Sequence, residues 1–213
     1  MSVSKILLTS ALLLTAAPAF AQMPSPAVNK DPSQQPQGIY KIDPRHTSVI
    51  WKVMHMGISD YTAKFSKVDG ELVFDPNDVT KSKVSITIPA SSVETGLPDF
   101  DKEIAGEKFF GGDKNPNITF VSTSVKKTGD DEGEVTGNLT LNGITKPVTL
   151  DVEFYGGIDH PMMKARALGF SAETTIKRSD FGVTYGIPMV GDEVKIEIET
   201  EFHQTATEAP KKQ

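Results

Sequence analysis

Between Val135 and Phe154 the apolar residues keep to one parity. Gly137, Leu139 and Leu141 lead into Asn142-Gly143, and Val148, Leu150, Val152 and Phe154 lead away from it, with polar residues mostly between. Alternation at period two marks strands with one buried face, and Asn-Gly is the favoured two-residue type I′ turn because both central positions need positive φ. The stretch therefore reads as a β-hairpin. Its buried face needs partners, and the rest of the chain supplies the same pattern.

From Thr47 to Met56 apolar residues occupy both parities, as in a strand covered on two sides for part of its length. Tyr61 to Phe74 alternates, with Gly70 marking a bulge or sharp bend. Val84, Ile86 and Ile88 alternate until Pro89, and strand patterning resumes from Ile118 to Val125. Leu168 to Ile176 and Val194 to Phe202 complete the series, the last opposed by Lys195, Glu197, Glu199 and Glu201. One segment differs: Pro98, Asp99 and Asp101 open a short helix, Phe100 and Ile104 fall four apart, and Gly106 closes it. Phe109 and Phe110 are expected to dock that helix onto the sheet. The sum is eight to nine consecutive strands with one helix and no βαβ unit. Such a chain closes into a barrel or splits into a sandwich, and strands of ten or more residues favour the barrel.

The ends are read separately. Lys5, the apolar run Ile6 to Ala17 and Ala19-Phe20-Ala21 form a cleavable signal peptide over residues 1–21. Residues 22–38, rich in Pro, Ser, Gln and Asn, read as a disordered tether, residues 39–203 as the folded domain, and residues 204–213 as a disordered tail. The chain has no cysteine, so there is neither a disulfide framework nor a lipoprotein anchor site. A periplasmic protein follows, stabilised by an ordinary core and not stably inserted in a membrane. Loss of Lys5 with the leader takes the net charge from −6 to −7. An acidic chain without a basic cluster is a poor partner for nucleic acid. A homodimer is compatible with the sequence, although the acidic row Glu197, Glu199 and Glu201 argues against edge-to-edge pairing of the last strand.

A series of motifs in order resembles one known family. Tyr40-Lys41-Ile42-Asp43-Pro44-Arg45-His46-Thr47-Ser48 is similar to its opening, and His55, Phe65 and Gly70 to its second block. Phe109-Phe110, Pro116-Asn117-Ile118-Thr119-Phe120, and Gly137 through Val148 continue the series, and Arg178-Ser179-Asp180-Phe181-Gly182 and Gly191-Asp192-Glu193-Val194 close it. The chain resembles the YceI-like proteins over Tyr40 to Phe202. It departs from their pattern where Glu103-Ile104 replaces a His-Leu pair and Gly111 an Asp. The resemblance implies an all-β, antiparallel, eight-stranded lipocalin-like barrel with one short helix. It also implies a periplasmic binding or carrier function for a long isoprenoid lipid of quinone or polyprenyl phosphate type, with no catalytic mechanism and no cofactor beyond that ligand. The alternative is a stress-response or protein-interaction module with a filled barrel.

The residues point the same way on catalysis. His46, His55, His160 and His203 show no H-E-x-x-H or comparable metal spacing, so no metal is expected, and no nucleophile elbow or phosphate loop occurs. His55, flanked by Met54 and Met56, is either a core histidine or a head-group contact. Arg178 either pairs with Asp180 or offers its planar fork of donors to a head group. Trp51, Phe65, Phe74, Phe120, Phe154 and Phe170 are the candidate lining, joined by Phe181 in the loop that follows Arg178. Met162-Met163 and Tyr185 to Val190 are apolar enough to rim a pocket mouth.

Overall fold

The computed structural model describes residues 26–206. The expected signal peptide, the start of the tether and residues 207–213 of the tail lie outside the described residues. Eleven strands form one antiparallel sheet. They are β1 (Gly38–Ile42), β2 (Ser48–His55), β3 (Ser59–Phe65), β4 (Asp69–Phe74), β5 (Lys83–Pro89), β6 (Val93–Glu94), β7 (Asn117–Lys127), β8 (Glu132–Leu141), β9 (Ile144–Asp159), β10 (Arg166–Lys177) and β11 (Val190–Ala206). A single α-helix, α1 (Pro98–Ala105), lies between β6 and β7.

The ring runs β1-β4-β5-β7-β8-β9-β10-β11 and closes where β1 pairs with β11, from Ile42 opposite Phe202 to Ile39 opposite Ala206. That is an eight-stranded closed barrel. The remaining three strands continue members of the ring past bends: β2 extends β1 along β11, β3 leads into β4, and β6 follows β5 to pair with the end of β3. Three of the eight staves are thus each written as two short strands, which is why Tyr61 to Phe74 reads as one run in the sequence. Closure leaves β11 paired on both edges, so no free strand edge remains there.

The expected hairpin is β8–β9, with Asn142 at φ 51° and Gly143 at φ 75°, as a type I′ turn demands. Midway along β8, the Phe120 ring lies against Gly137, where an added Cβ would also meet the Val121 carbonyl oxygen at 2.7 Å. The long strands β7 to β11 form the continuous wall. At the upper end β3 lacks a strand neighbour beyond β6, and α1 with residues 106–116 fills the wall between β3 and β7. Pro98 at the helix start and Asp99 and Asp101 in its first turn suit that position.

Two boundaries differ from the sequence reading. Strand β11 runs to Ala206, so residues 204–206 belong to the barrel and not to a disordered tail. Residues 26–38 are not a free tether. Asn29 bridges to Gly157 by two backbone hydrogen bonds of 2.9 and 2.8 Å, and Pro32–Gln34 form a 3₁₀ turn capped by Asp31. The anchor is Gln35, only 3 % exposed. Its side-chain amide donates to the Asn29 and Asp31 carbonyls, and its oxygen accepts from Arg166 Nε and Nη2 at 3.0 and 2.6 Å. A polar composition therefore docks through a fully satisfied amide instead of apolar burial, a signal that periodicity does not carry.

Gln35→Ala leaves the Arg166 donors and two carbonyls without this partner and is expected to cost about 1–3 kcal/mol. Urea denaturation measures it, and limited proteolysis should cut earliest within residues 26–37. A variant with unchanged midpoint and cleavage pattern would show that the segment contributes nothing to the fold.

Candidate functional site

Parity converts closure into a lumen. The inward positions of the strands enclose a cavity of about 560 Å³. Val49, Trp51 and Val53 of β2, Val148, Leu150 and Val152 of β9, and Val194, Ile196 and Ile198 of β11 line it, each set spaced by two. The few polar groups on its wall are chiefly threonines. Thr47 and Thr200 satisfy each other at 2.9 Å across the seam, and Thr174 donates to the Thr149 carbonyl at 2.8 Å, so neither requires a ligand. The barrel is not filled, which removes the premise of the filled-barrel alternative.

One end is shut. On four strands, the inward residue two positions beyond the last lining residue is a bulky buried one: Tyr40 beyond Ile42, Phe74 beyond Leu72, Phe154 beyond Val152 and Leu168 beyond Phe170. Tyr40 and Leu168 are wholly inaccessible to solvent, and Tyr40 meets Phe74 edge-on at 6.3 Å. Tyr40 donates its hydroxyl to the Pro36 carbonyl at 2.6 Å, and burial pushes the phenol up to about 12, so the donor keeps its proton at physiological pH. The docked segment thus ties down the floor.

The other end is the mouth. It gathers the Met56–Ile58 turn, the Asn142–Gly143 turn, α1 and the loop from Arg178 to Val190. Apolar side chains stand exposed around it, among them Met56, Ile58, Leu97, Tyr185 and Met189, with Ile58 82 % exposed. The Met56 amide donates to the Met189 carbonyl at 2.6 Å, joining two sides of the rim. Met162 and Met163, expected at the same rim, lie in the β9–β10 turn at the floor end.

Of the nine predicted site residues, six line the cavity: Trp51, His55, Phe65, Phe120, Phe170 and Arg178. Three do not. Phe74 and Phe154 belong to the floor, and Phe181, 2 % exposed, packs beneath the mouth loop, where its carbonyl accepts from the Asn142 amide at 3.2 Å. They share the inward parity or apolar context of lining residues, but lie past the ends of the lumen, which parity alone does not locate. His55 is the last inward position of β2 and is exposed at the rim, so it is no core histidine.

Arg178 faces the cavity, yet four of its five N–H donors are spent on backbone carbonyls. Nε donates to the Gly191 carbonyl at 2.8 Å, Nη1 to Val183 and Tyr185 at 3.0 and 2.9 Å, and Nη2 to Val190 at 2.9 Å. Burial lowers the proton affinity of the guanidinium, and the Asp192 carboxylate works against that. Asp192 itself accepts from the Ser179 amide and hydroxyl at 2.9 and 2.8 Å. Arg178 is therefore a staple that shapes the mouth loop, neither a partner of Asp180 nor a free fork for a head group.

The sequence reading missed a cluster of lining residues. Phe100 and Ile104 of α1, and Phe109 and Phe110 after it, reach the cavity. Phe110 sits 6.3 Å from Trp51 and 5.4 Å from Phe65, and Phe100 sits 5.7 Å from Tyr61. The paired aromatics were visible, but their direction depends on α1 standing in for a missing strand. Trp51 Nε1 is buried without a hydrogen-bond partner.

Comparison with known proteins agrees with this architecture. The family model described as YceI-like domain matches residues 40–202. Protein YceI of Salmonella arizonae is 42 % identical over 164 residues, covering 76 % of this chain and 85 % of the relative. Burkholderia cenocepacia BcnA superposes with a TM-score of 0.68 at 26 % identity, covering 75 % of this chain and 98 % of that one. A polyisoprenoid binding domain from Saccharophagus degradans superposes with a TM-score of 0.60 at 14 % identity, covering 78 % and 98 %, a likeness of fold. Among the described residues no helix is long and apolar enough to cross a membrane.

Arg178→Met should lower stability by at least about 3 kcal/mol, because four carbonyls lose their shared donor group, and Arg178→Lys should fall between. Chemical denaturation decides it. A Met variant as stable as the parent would return Arg178 to the role of a ligand-facing group.

Proposed function

The chain belongs to the YceI-like family, and from that membership we propose that it is a periplasmic binding or carrier protein for a long isoprenoid lipid, of quinone or polyprenyl phosphate type, held tail-first in the barrel. The observation that carries this reading is the cavity itself: about 560 Å³, walled by aliphatic and aromatic side chains, with a closed floor and an apolar rim. A ligand that fits must be long, flexible and without internal hydrogen-bonding groups, because the wall offers almost none. The structural likeness to a polyisoprenoid binding domain from Saccharophagus degradans supports the choice of lipid class.

The volume sets a scale. At about 30 Å³ per heavy atom, the share a water molecule takes in its liquid, the cavity of about 560 Å³ holds on the order of 19 carbons, or about four five-carbon units. Burying roughly 20 methylene equivalents at about 0.8 kcal/mol each yields about 16 kcal/mol, against association costs of about 4–15 kcal/mol. The surplus, about 1–12 kcal/mol, lets the tail alone supply binding, with a polar anchor adding to it where association costs are high. A longer tail leaves its remainder and its head group at the mouth, beside His55 and the rim of Met56, Tyr185 and Met189. His55 and the Tyr185 hydroxyl are the rim groups with hydrogen-bonding capacity for a quinone carbonyl or a phosphate. Neither the family nor the site suggests turnover, and the barrel serves as a container.

Protein purified without detergent from a native periplasm should carry an extractable isoprenoid at close to one per chain. Ala172→Trp, which projects into open lumen, should remain folded and lose at least about tenfold of that lipid, since filled volume excludes the tail. A folded parent with no extractable lipid and no uptake on titration would refute the carrier reading.

A further inference from the structure

Outside the lumen, where β1 bends into β2 against the end of β11, the structure assigns a binding site for a divalent transition-metal ion of the zinc class, with Asp43, His46, Glu201 and His203 as its ligands. Asp43, His46 and Glu201 bring one ligand atom each to within 4.8 Å of one another. His46 Nδ1 lies 2.7 Å from Asp43 Oδ2 and 4.0 Å from Glu201 Oε2. Independent of these three, His203 is 7 % exposed and its Nε2 has no hydrogen-bond partner. That nitrogen points into the cluster, 3.8 Å from Asp43 Oδ2 and 3.7 Å from Glu201 Oε2.

The His203 spacings suit a shared ion better than direct hydrogen bonds, while His46 hydrogen-bonds Asp43 directly at 2.7 Å and would exchange that contact for the ion. Ligand atoms about 2.0–2.2 Å from a tetrahedral zinc stand roughly 3.3–3.6 Å apart, whereas 3.7–3.8 Å is too long for an N–H to reach an oxygen. Two imidazoles and two carboxylates form a set that favours zinc over calcium or magnesium, which take oxygen almost exclusively. Access is open on the His46 side, which is exposed, while His203 backs onto the barrel wall. The ring of His160 lies 5.3 Å from that of His203, edge to face, and holds it from the floor side.

The site lies on the outer face. Ile42 and Phe202 point inward, so Asp43 and His203, the next residues along, point out. The inference is therefore independent of the lipid reading. Its position gives it a purpose: Asp43 already donates its amide to the Glu201 carbonyl at 2.8 Å, and a bound ion would rivet the short seam that closes the ring. The sequence reading found no metal spacing because the ligands are two pairs far apart in the chain, joined only by the β1–β11 register.

Full chain stripped with EDTA and dialysed against zinc chloride should take up one Zn²⁺ per chain, with a melting temperature that rises with zinc concentration. Cobalt chloride should give the visible bands of a four-coordinate ion. His46→Gln and Glu201→Gln, at accessible positions, should each weaken Zn²⁺ uptake at least about tenfold without changing the far-ultraviolet circular dichroism. His203→Gln should abolish it. Failure of the stripped parent to bind Zn²⁺ stoichiometrically, or unchanged binding in His46→Gln and Glu201→Gln, would overturn the assignment and leave a charge-compensated histidine cluster.

Discussion

The structure depends on a short antiparallel seam. Four residues of β1, Ile39 to Ile42, pair with the end of β11, and through them an eleven-stranded meander becomes a closed ring. Without that seam β1 and the last residues of β11 would be left with unpaired edges and the ring would be open there, with β2 still paired along Val190 to Glu199. With it, one parity of every strand becomes interior, and the number of staves fixes how much interior there is: wide enough to hold one slender ligand, too narrow for an aqueous channel. The bends that split three staves are part of the same solution. They let β1 and β2 follow the twisted length of β11 while β3 swings away from β5, opening the place that α1 occupies.

The two ends of the ring are treated differently, and the difference gives the lumen a direction. Bulky side chains two positions past the lining close the floor, and a polar segment, tied through Gln35 and the Tyr40 hydroxyl, braces it from outside. At the mouth the chain spends a buried guanidinium on four carbonyls to hold a loop whose outer side chains are apolar. On the proposed reading, a flexible tail would enter at one end, stop at the other and leave its polar terminus in water. Such an arrangement separates affinity, which comes from buried methylenes, from head-group choice, which falls to a few rim residues.

Much of this was legible. The hairpin at Asn142-Gly143, the strand series, the helix at Pro98 and the inward face of β9 follow from period-two and turn chemistry, which are local. Trp51, Phe65, Phe120 and Phe170 face the cavity because parity alone puts them inward. What parity cannot supply is depth: Phe74 and Phe154 share the inward parity but close the floor. Nor can it supply the partner of a polar group. Arg178 meets backbone carbonyls, Gln35 meets Arg166 across the barrel, and Asp43 and His46 meet Glu201 and His203 only because the ring closes. Phe109 and Phe110 became lining because a helix replaces a strand, a consequence of topology and not of composition.

The central claim, that the lumen accepts an isoprenoid tail, has a built-in reporter. Trp51 is the sole tryptophan of the chain, lies on the cavity wall between Tyr61 and Phe110, and has an indole N–H without a partner. Delipidated protein titrated in detergent-free buffer with a linear isoprenoid of about four five-carbon units should show a saturable change in Trp51 emission at one ligand per chain, as tail atoms replace whatever fills the lumen. Emission that stays unchanged up to the solubility limit of the isoprenoid would contradict a lipid-accepting lumen.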